Sequence, residues 1–488
     1  MRRIFASLAA VIAVTLGGCN LDLTNPNSPQ PGGVKANPRA GSIRLIGGVL
    51  ATYRTNRTDQ IRAMGSFGRE TYYMFITDGR FITGPLREWK LNNSFDVNTQ
   101  WAGRYGNYRN EYEALKIVDS APTTATPGLP TAFLASEKAG ADGVLKTFMA
   151  LDLLHAIEAR GSIGIVVDIT DDPTAVLPIV SEDSAYKWIS AKLDEANTDL
   201  AAAGTSFYFP FYAGFGVGVT GATTPAGFSQ FNRAIKARVE AKRGSLGCGA
   251  PCYTAALTAL TGTWIADLTT ANRDNGIFTI YSTAAGDFSN NAAFTGSLGS
   301  DLYVHVGIDS MAGVALDDRY RRKISSCPAT SSRSEVGVTG NHRPCTYATT
   351  STPIPIVRNE ELVLLRAEAE WFTGATAAAL ADLLAVRTFS GGSNGGTSVV
   401  AFPTPANDAD FVSELLLQRT LSLYQEAHRW TDYRRFGRLT ALNTAAQDIA
   451  GGFTVATMLP LPALECDART RAGNPGGIPL SCPGNAIP

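Results

Sequence analysis

Residues 358–374, "RNEELVLLRAEAEWFTG", decide how the rest of the chain is read. Leu362, Leu365, Ala369 and Phe372 recur at three- and four-residue spacing, so they share one apolar stripe of a helix. Asn359 stands where an N-cap belongs. Glu360 and Glu361 follow in the first turn, where the helix dipole favours negative charge. Gly374 stops the helix, and "ATAAALADLLAVRT" (375–388) starts a second one at once. Two helices joined by a turn this short pack side by side as a hairpin.

The same pattern extends outward. Helical periodicity appears at 42–54, 101–119, 132–160 (with Gly140 or Gly143 as possible interruptions), 184–203, 227–244 with Ser229 as a cap, 252–262, 407–427 and 429–439. Repeated short-turn pairs predict a mostly α fold, a tetratricopeptide-like array of helical hairpins. No clean 34-residue repeat is legible. Long irregular insertions interrupt the array at 61–100, 203–227, 263–356 and 440–488. Insertions of that length in a compact protein usually carry function.

The amino end has a different character. Arg2 and Arg3 precede an apolar run, Ile4 to Leu16, too short to span a bilayer. Leu16-Gly17-Gly18-Cys19 then resembles a lipobox, in which Cys19 would become the lipidated first residue of the mature chain. Acyl chains at about 0.8 kcal/mol per buried CH₂ would anchor it. The plain alternative is an ordinary secretory signal. The expected organisation is a signal peptide at 1–18, a proline-dotted tether at 19–41 and a folded body at 42–488. Removing 1–18 takes two arginines from 42 basic side chains and leaves 40 against 43 acidic ones, net −3. That balance gives no support to nucleic-acid binding.

Setting Cys19 aside leaves six cysteines in three local pairs, expected as disulfides 248–252, 327–345 and 466–482 in an oxidising compartment. Four histidines and no CxxC pair leave little for a metal site, and no cofactor is expected. "GGSNG" (391–395) matches a nucleophile-elbow pattern but follows a helix rather than a strand. The carboxylate pairs Glu360/Glu361 and Asp317/Asp318 are sequence neighbours that cannot face each other across a substrate. His155 and His428 fall in apolar helical segments and read as satisfied structural histidines.

Aromatic side chains in the insertions stand out instead. Residues 70–96 hold Tyr72, Tyr73, Phe75, Phe81, Trp89 and Phe95, and 207–216 hold Phe207, Tyr208, Phe209, Phe211, Tyr212 and Phe215. Flat rings stack on the apolar faces of sugars, while Asn, Asp and Arg bond hydroxyls. The plain alternative is that the rings fill core. Trp89, flanked by Arg87, Glu88, Lys90, Asn92 and Asn93, is the position where exposure is expected. The candidate ligand contacts are Trp89, Asn92, Tyr72, Tyr73, Phe81, Trp101, Tyr208 and Tyr212.

Several segments resemble the SusD/RagB family of outer-membrane nutrient-binding lipoproteins. "IPIVRNEELVLLRAEAEWFTG" is similar to its R-x-x-E-[LV]-x-L-x-x-A-E-A segment through Arg358, Glu361, Leu364, Ala367, Glu368 and Ala369. "LLLQRTLSLYQEAHRWTDYRRFGRL" (415–439) resembles ER-x-x-E-L-x-x-E-G-x-R-W-x-D-L-x-R, with Gln418 where Glu is usual and Ala427 where Gly is usual. "MLPLPALE" (458–465), "FNRAIKARVEAKRG" (231–244) and "WAGRYGNYRNEYEAL" (101–115) resemble further family elements. The resemblance implies a nutrient-capturing lid, most often for oligosaccharide, over a TonB-dependent SusC-like outer-membrane transporter, with no chemical step. A peptide-binding lipoprotein on the same scaffold and a secreted glycoside hydrolase are the other readings. Glu426, Arg429, Asp432 and Arg435, three apart, are expected to pair around a helix and to be structural.

Overall fold

The computed structural model describes residues 36–172, 174–311, 313–325, 331–392, 404–474 and 482. Its main helices are α1 (Pro38–Phe67), α2 (Arg80–Leu86), α3 (Phe95–Ser120), α4 (Ala135–Arg160), α5 (Glu182–Ala202), α6 (Pro225–Arg243), α7 (Ala250–Leu260), α8 (Asn359–Phe372), α9 (Thr376–Val386), α10 (Asp408–Ser422), α11 (Arg429–Arg435), α12 (Ala446–Ala450) and α13 (Ala463–Arg471). The strands are short: β1 (Thr71–Tyr73), β2 (Gly216–Val217), β3 (Gly276–Thr279), β4 (Leu302–Val304), β5 (Arg333–Glu335), β6 (Val338–Gly340) and β7 (Ile354–Arg358).

Helices α1, α3, α4, α5, α6, α7, α8 and α9 pack each against the next in that order, as the hairpin-array reading expects. Apolar side chains from this row form one large core that includes Val49, Phe148, Leu151, Ile189, Ile235 and Leu362. Ion pairs tie neighbours across it: Arg104 to Asp152 at 2.9 Å, Lys146 to Asp199 at 2.7 Å and Arg366 to Asp382 at 2.7 Å. Among the described residues, no helix is long and apolar enough to cross a membrane.

Several boundaries differ from expectation. Helix α1 starts at Pro38, inside the stretch read as tether, and runs 30 residues into the first insertion. Its later turns bury Arg54, Arg57, Thr58, Gln60 and Arg62 among other elements, so no apolar stripe announces them. Helix α4 is unbroken at Gly140 and Gly143. At Gly143 a Cβ would lie 2.6 Å from Leu200 Cγ and 3.0 Å from the Ala196 carbonyl, so glycine is there for the close approach of α5. The cap of α6 is Thr224, which accepts from Gly227 N, rather than Ser229. Asn359 is the first residue of α8 and caps nothing there; its side chain bonds both backbone groups of Ala266.

The insertions are held to the row by small sheets. β7 leads directly into α8 and pairs antiparallel with β3, which pairs with β2. β1 pairs antiparallel with β4, Tyr72 opposite Tyr303. The disulfides Cys248–Cys252 and Cys466–Cys482 are formed. Cys345 is disulfide-bonded, and its expected partner Cys327 lies outside the described residues, as do Cys19 and residues 393–395 of the "GGSNG" stretch.

The signature of residues 415–439 is structural, but its pairing is not the local one expected. Asp432 does bond Arg435 three residues on, at 3.0 Å, and also Arg419 at 2.7 Å. Glu426 instead meets Arg358 of β7 at 2.8 Å. Arg429 donates to the Arg69 carbonyl at 2.6 Å. Residues 423–428 are not helical, so the three-residue register between Glu426 and Arg429 never forms.

Candidate functional site

Rings gather where the end of α1 meets the first insertion. Tyr73, Phe75, Phe81 and Phe95 form a ladder. Tyr73 and Phe81 centroids are 4.9 Å apart, Phe75 and Phe81 5.6 Å, and Phe81 stacks on Phe95 at 5.2 Å. Exposure rises along it: Tyr73 is buried, Phe75 and Phe81 are half-buried, and Phe95 is 41% exposed. Ile76 beside them is 70% exposed. The Arg80 guanidinium lies 4.8 Å over the Phe95 ring.

Arg62 of α1 joins this ladder to a neighbouring groove. Its guanidinium lies 5.4 Å from the Tyr73 centroid and 5.3 Å from that of Phe81, within cation–π range. It bonds Asp59 at 2.7 Å and Asp96 at 2.6 Å. Asp59 also accepts from Gln100 Nε2 at 3.1 Å. Asp59 and Gln100 line a groove of about 340 Å³ with Asn56, Asn98, Thr99 and Arg104. The two carboxylates respond oppositely. Burial raises the Asp96 pKa beyond what Arg62 offsets; at Asp59 burial also pulls upward, but the Arg62 charge and hydrogen bonds outweigh it and the pKa falls.

The β5–β6 hairpin closes the other side. Its two-residue turn is Val336-Gly337, at φ +49° and +84°. A β-branched residue at positive φ is strained, by about 1–2 kcal/mol. A Cβ on Gly79 would stand 2.8 Å from Val336 Cγ2, so the hairpin tip rests on the loop before α2. Arg333 donates to the Met74 carbonyl at 2.7 Å and lies 5.2 Å over the Tyr303 ring.

Of the residues singled out from sequence, Tyr73 and Phe81 come together here. Tyr72 is adjacent but buried, its hydroxyl donating to Asp448 at 2.7 Å. Trp89 is a correction: it is 3% exposed and packs with Phe67, Val97 and Trp430, its indole N–H on Thr454 Oγ1 at 3.1 Å. Its polar sequence neighbours Arg87, Lys90 and Asn93 are exposed while the ring turns inward, because segment 454–459 covers it. Asn92 is half-buried, and its carbonyl accepts from Ala463 N. Tyr208 and Tyr212 lie elsewhere, half-buried in the apolar cluster of 207–215, bonded to Ser42 and to the Phe278 carbonyl. Trp101 is buried on another face of α3. Sequence reasoning missed Arg62, Asp59 and Asp96. Their only sequence signal is the i, i+3 spacing of Asp59 and Arg62 in "TNRTDQIR".

The carboxylate pairs are neutralised within the structure. Asp317 holds Arg319 and Glu361 holds Arg238, while Glu360 bonds Arg358. His155 is buried, bonded to Gln60 at 2.8 Å, and burial pushes its pKa down to about 3. His428 is buried with a pKa depressed by the same cause.

Residues 330–458 match the SusD family model. That match takes in the C-terminal signature segments, from Arg358 to Met458. The SusD fold extends over nearly the whole chain. A SusD superfamily protein from Bacteroides vulgatus superposes with a TM-score of 0.62 at 14% identity, covering 92% of this chain and 99% of that one. B. fragilis NanU gives 0.60 at 15% identity, covering 95% and 100%. A laminarin-binding SusD-like protein gives 0.54 at 14% identity, covering 87% and 97%. No curated protein sequence matches this chain.

Proposed function

We propose that the protein captures a saccharide on the Tyr73–Phe75–Phe81–Phe95 ladder and passes it to a TonB-dependent SusC-like transporter in the outer membrane. The observation that carries this reading is Arg62, which ties stacked, outward-graded rings to a groove of Asn, Asp, Gln and Thr side chains. Rings take the apolar face of a sugar and the groove takes its hydroxyls. The match of residues 330–458 to the SusD family model and the fold shared with a laminarin-binding SusD-like protein support the ligand class. The protein acts by binding, without a chemical step, and Cys19 carries the lipid that holds it at the outer membrane.

The reading is tested by titrating laminarin and a panel of other glycans and peptides against the pure protein. Phe95→Ala and Phe81→Ala should each weaken glycan binding about tenfold, the worth of one stacked ring. Peptide binding without glycan binding, or sugar release from the glycans, would overturn it. Cys19→Ala should move the protein from the membrane to the soluble fraction. Pull-down from the outer membrane should recover a TonB-dependent barrel.

A further inference from the structure

The β5–β6 hairpin ends in a turn that its own sequence does not suit. Glu335 pairs with Val338, so the connection is Val336-Gly337, and both residues have positive φ. That is the pattern of a type I′ turn, which Asn-Gly or Asp-Gly forms with least strain. Gly337 meets the demand. Val336 does not, because its branched Cβ crowds the backbone at φ +49°. Burial does not offset the strain, since Val336 is 41% exposed.

The base of the hairpin keeps the tip in place. Gln447 brackets Thr339 of β6: its Oε1 accepts from Thr339 N, and its Nε2 donates to the Thr339 carbonyl, each at 3.1 Å. Val338 is buried. On β5, Arg333 holds the Met74 carbonyl. Backbone strain persists where the surroundings over-determine it, and it gathers at functional sites. What the hairpin touches is the loop that carries the ladder. Met74 precedes Phe75, and Gly79, beside Val336 Cγ2, precedes Arg80 and Phe81.

We propose that Val336 is a ligand contact, an aliphatic finger that the strained turn holds beside the ladder, and that it recognises an apolar part of the captured molecule. The assignment rests on the capture reading and adds a residue and a chemistry to it. Valine brings hydrocarbon to the tip and neither donor nor acceptor. The side of the ligand that meets the hairpin therefore presents C–H groups rather than hydroxyls, and exposed Ile76 of the same loop extends that apolar margin. Asparagine would make the better turn and the poorer contact. A sequence that breaks a local rule in this way does so where function requires it.

Val336→Asn and Val336→Ile test the assignment, with Phe95→Ala in parallel. Laminarin and the other panel glycans are titrated against each protein, and each is unfolded in urea. Val336→Asn should raise the urea midpoint and weaken glycan binding about fivefold. Val336→Ile keeps both the branched Cβ and the hydrocarbon, so its midpoint should stay and its affinity should hold within about twofold. A purely structural residue would not move stability and affinity in opposite directions. A midpoint that stays or falls in Val336→Asn overturns the strain on which the assignment stands. Glycan binding weakened by Phe95→Ala but not by Val336→Asn overturns the contact and leaves the ladder intact. Failure of the parent to bind any glycan removes the capture reading, and this contact with it.

Discussion

Arg238 of α6 and Glu361 of α8 meet as a two-pronged pair: arginine Nε and Nη2 each lie 2.7 Å from one carboxylate oxygen. Both side chains are buried, and Nη2 also donates to the Ile356 carbonyl of β7. One contact therefore locks two helices and the strand that feeds the second. Glu361→Gln leaves a buried guanidinium without its countercharge, which costs about 3–5 kcal/mol. Urea unfolding should show that loss. A loss under about 1 kcal/mol would mean that water reaches Arg238 and that the lock is not closed.

Ala427 adopts φ +69°, where the family pattern has glycine. An L side chain there is strained by about 1–2 kcal/mol. Ala427→Gly relieves the strain and loses one buried methyl, so a net gain of about 0.5–1 kcal/mol is expected. The check is the chemical-denaturation midpoint, which should rise.

Glu70 is buried, and no side chain bonds its carboxylate oxygens. Burial pushes its pKa up to about 8, against the partial opposition of Arg429. The folded state then holds a proton that the unfolded chain releases near pH 4.5. Stability from this group is complete below about pH 4.5 and falls as pH rises to about 8, by at most about 5 kcal/mol. Glu70→Gln should flatten that decline, with its largest advantage over the parent above pH 8. Parallel unfolding curves at pH 5 and pH 9 decide it; equal slopes with pH in both proteins would show that Glu70 ionises freely.

Gly143→Ala places a methyl 2.6 Å from Leu200 Cγ and 3.0 Å from a fixed carbonyl. The overpacking should cost about 1–3 kcal/mol. The same change at Gly47, where a Cβ meets nothing within 4 Å, should be neutral or stabilising by up to about 1 kcal/mol, and serves as the control.

Sequence periodicity reads an element well when its burial is one-sided. The stretch 358–374 is a helix from 359 to 372 because its apolar stripe and acidic first turn are local signals. The second half of α1 is invisible to the same method. Its buried polar side chains find partners that no local window contains: Arg57 bonds the carbonyls of Pro355 and Glu426, Gln60 bonds His155 and Arg62 bonds Asp96. Trp89 shows the same limit at the site. Its neighbours are polar, yet what covers it is Thr454 and Trp430, which no window around residue 89 contains. The aromatic content of 70–96 did point to the ladder, through Phe75, Phe81 and Phe95. The arginine that organises the rings is part of a charged stretch and carries no aromatic signal.

Helix α1 enters at Pro38 and reaches the ladder at Arg62, a continuous run of roughly 36 Å without an internal proline. The point where the chain arrives and the point where the rings gather are thus two ends of one strut. A tilt imposed at the amino end is passed to the rings along one continuous helix.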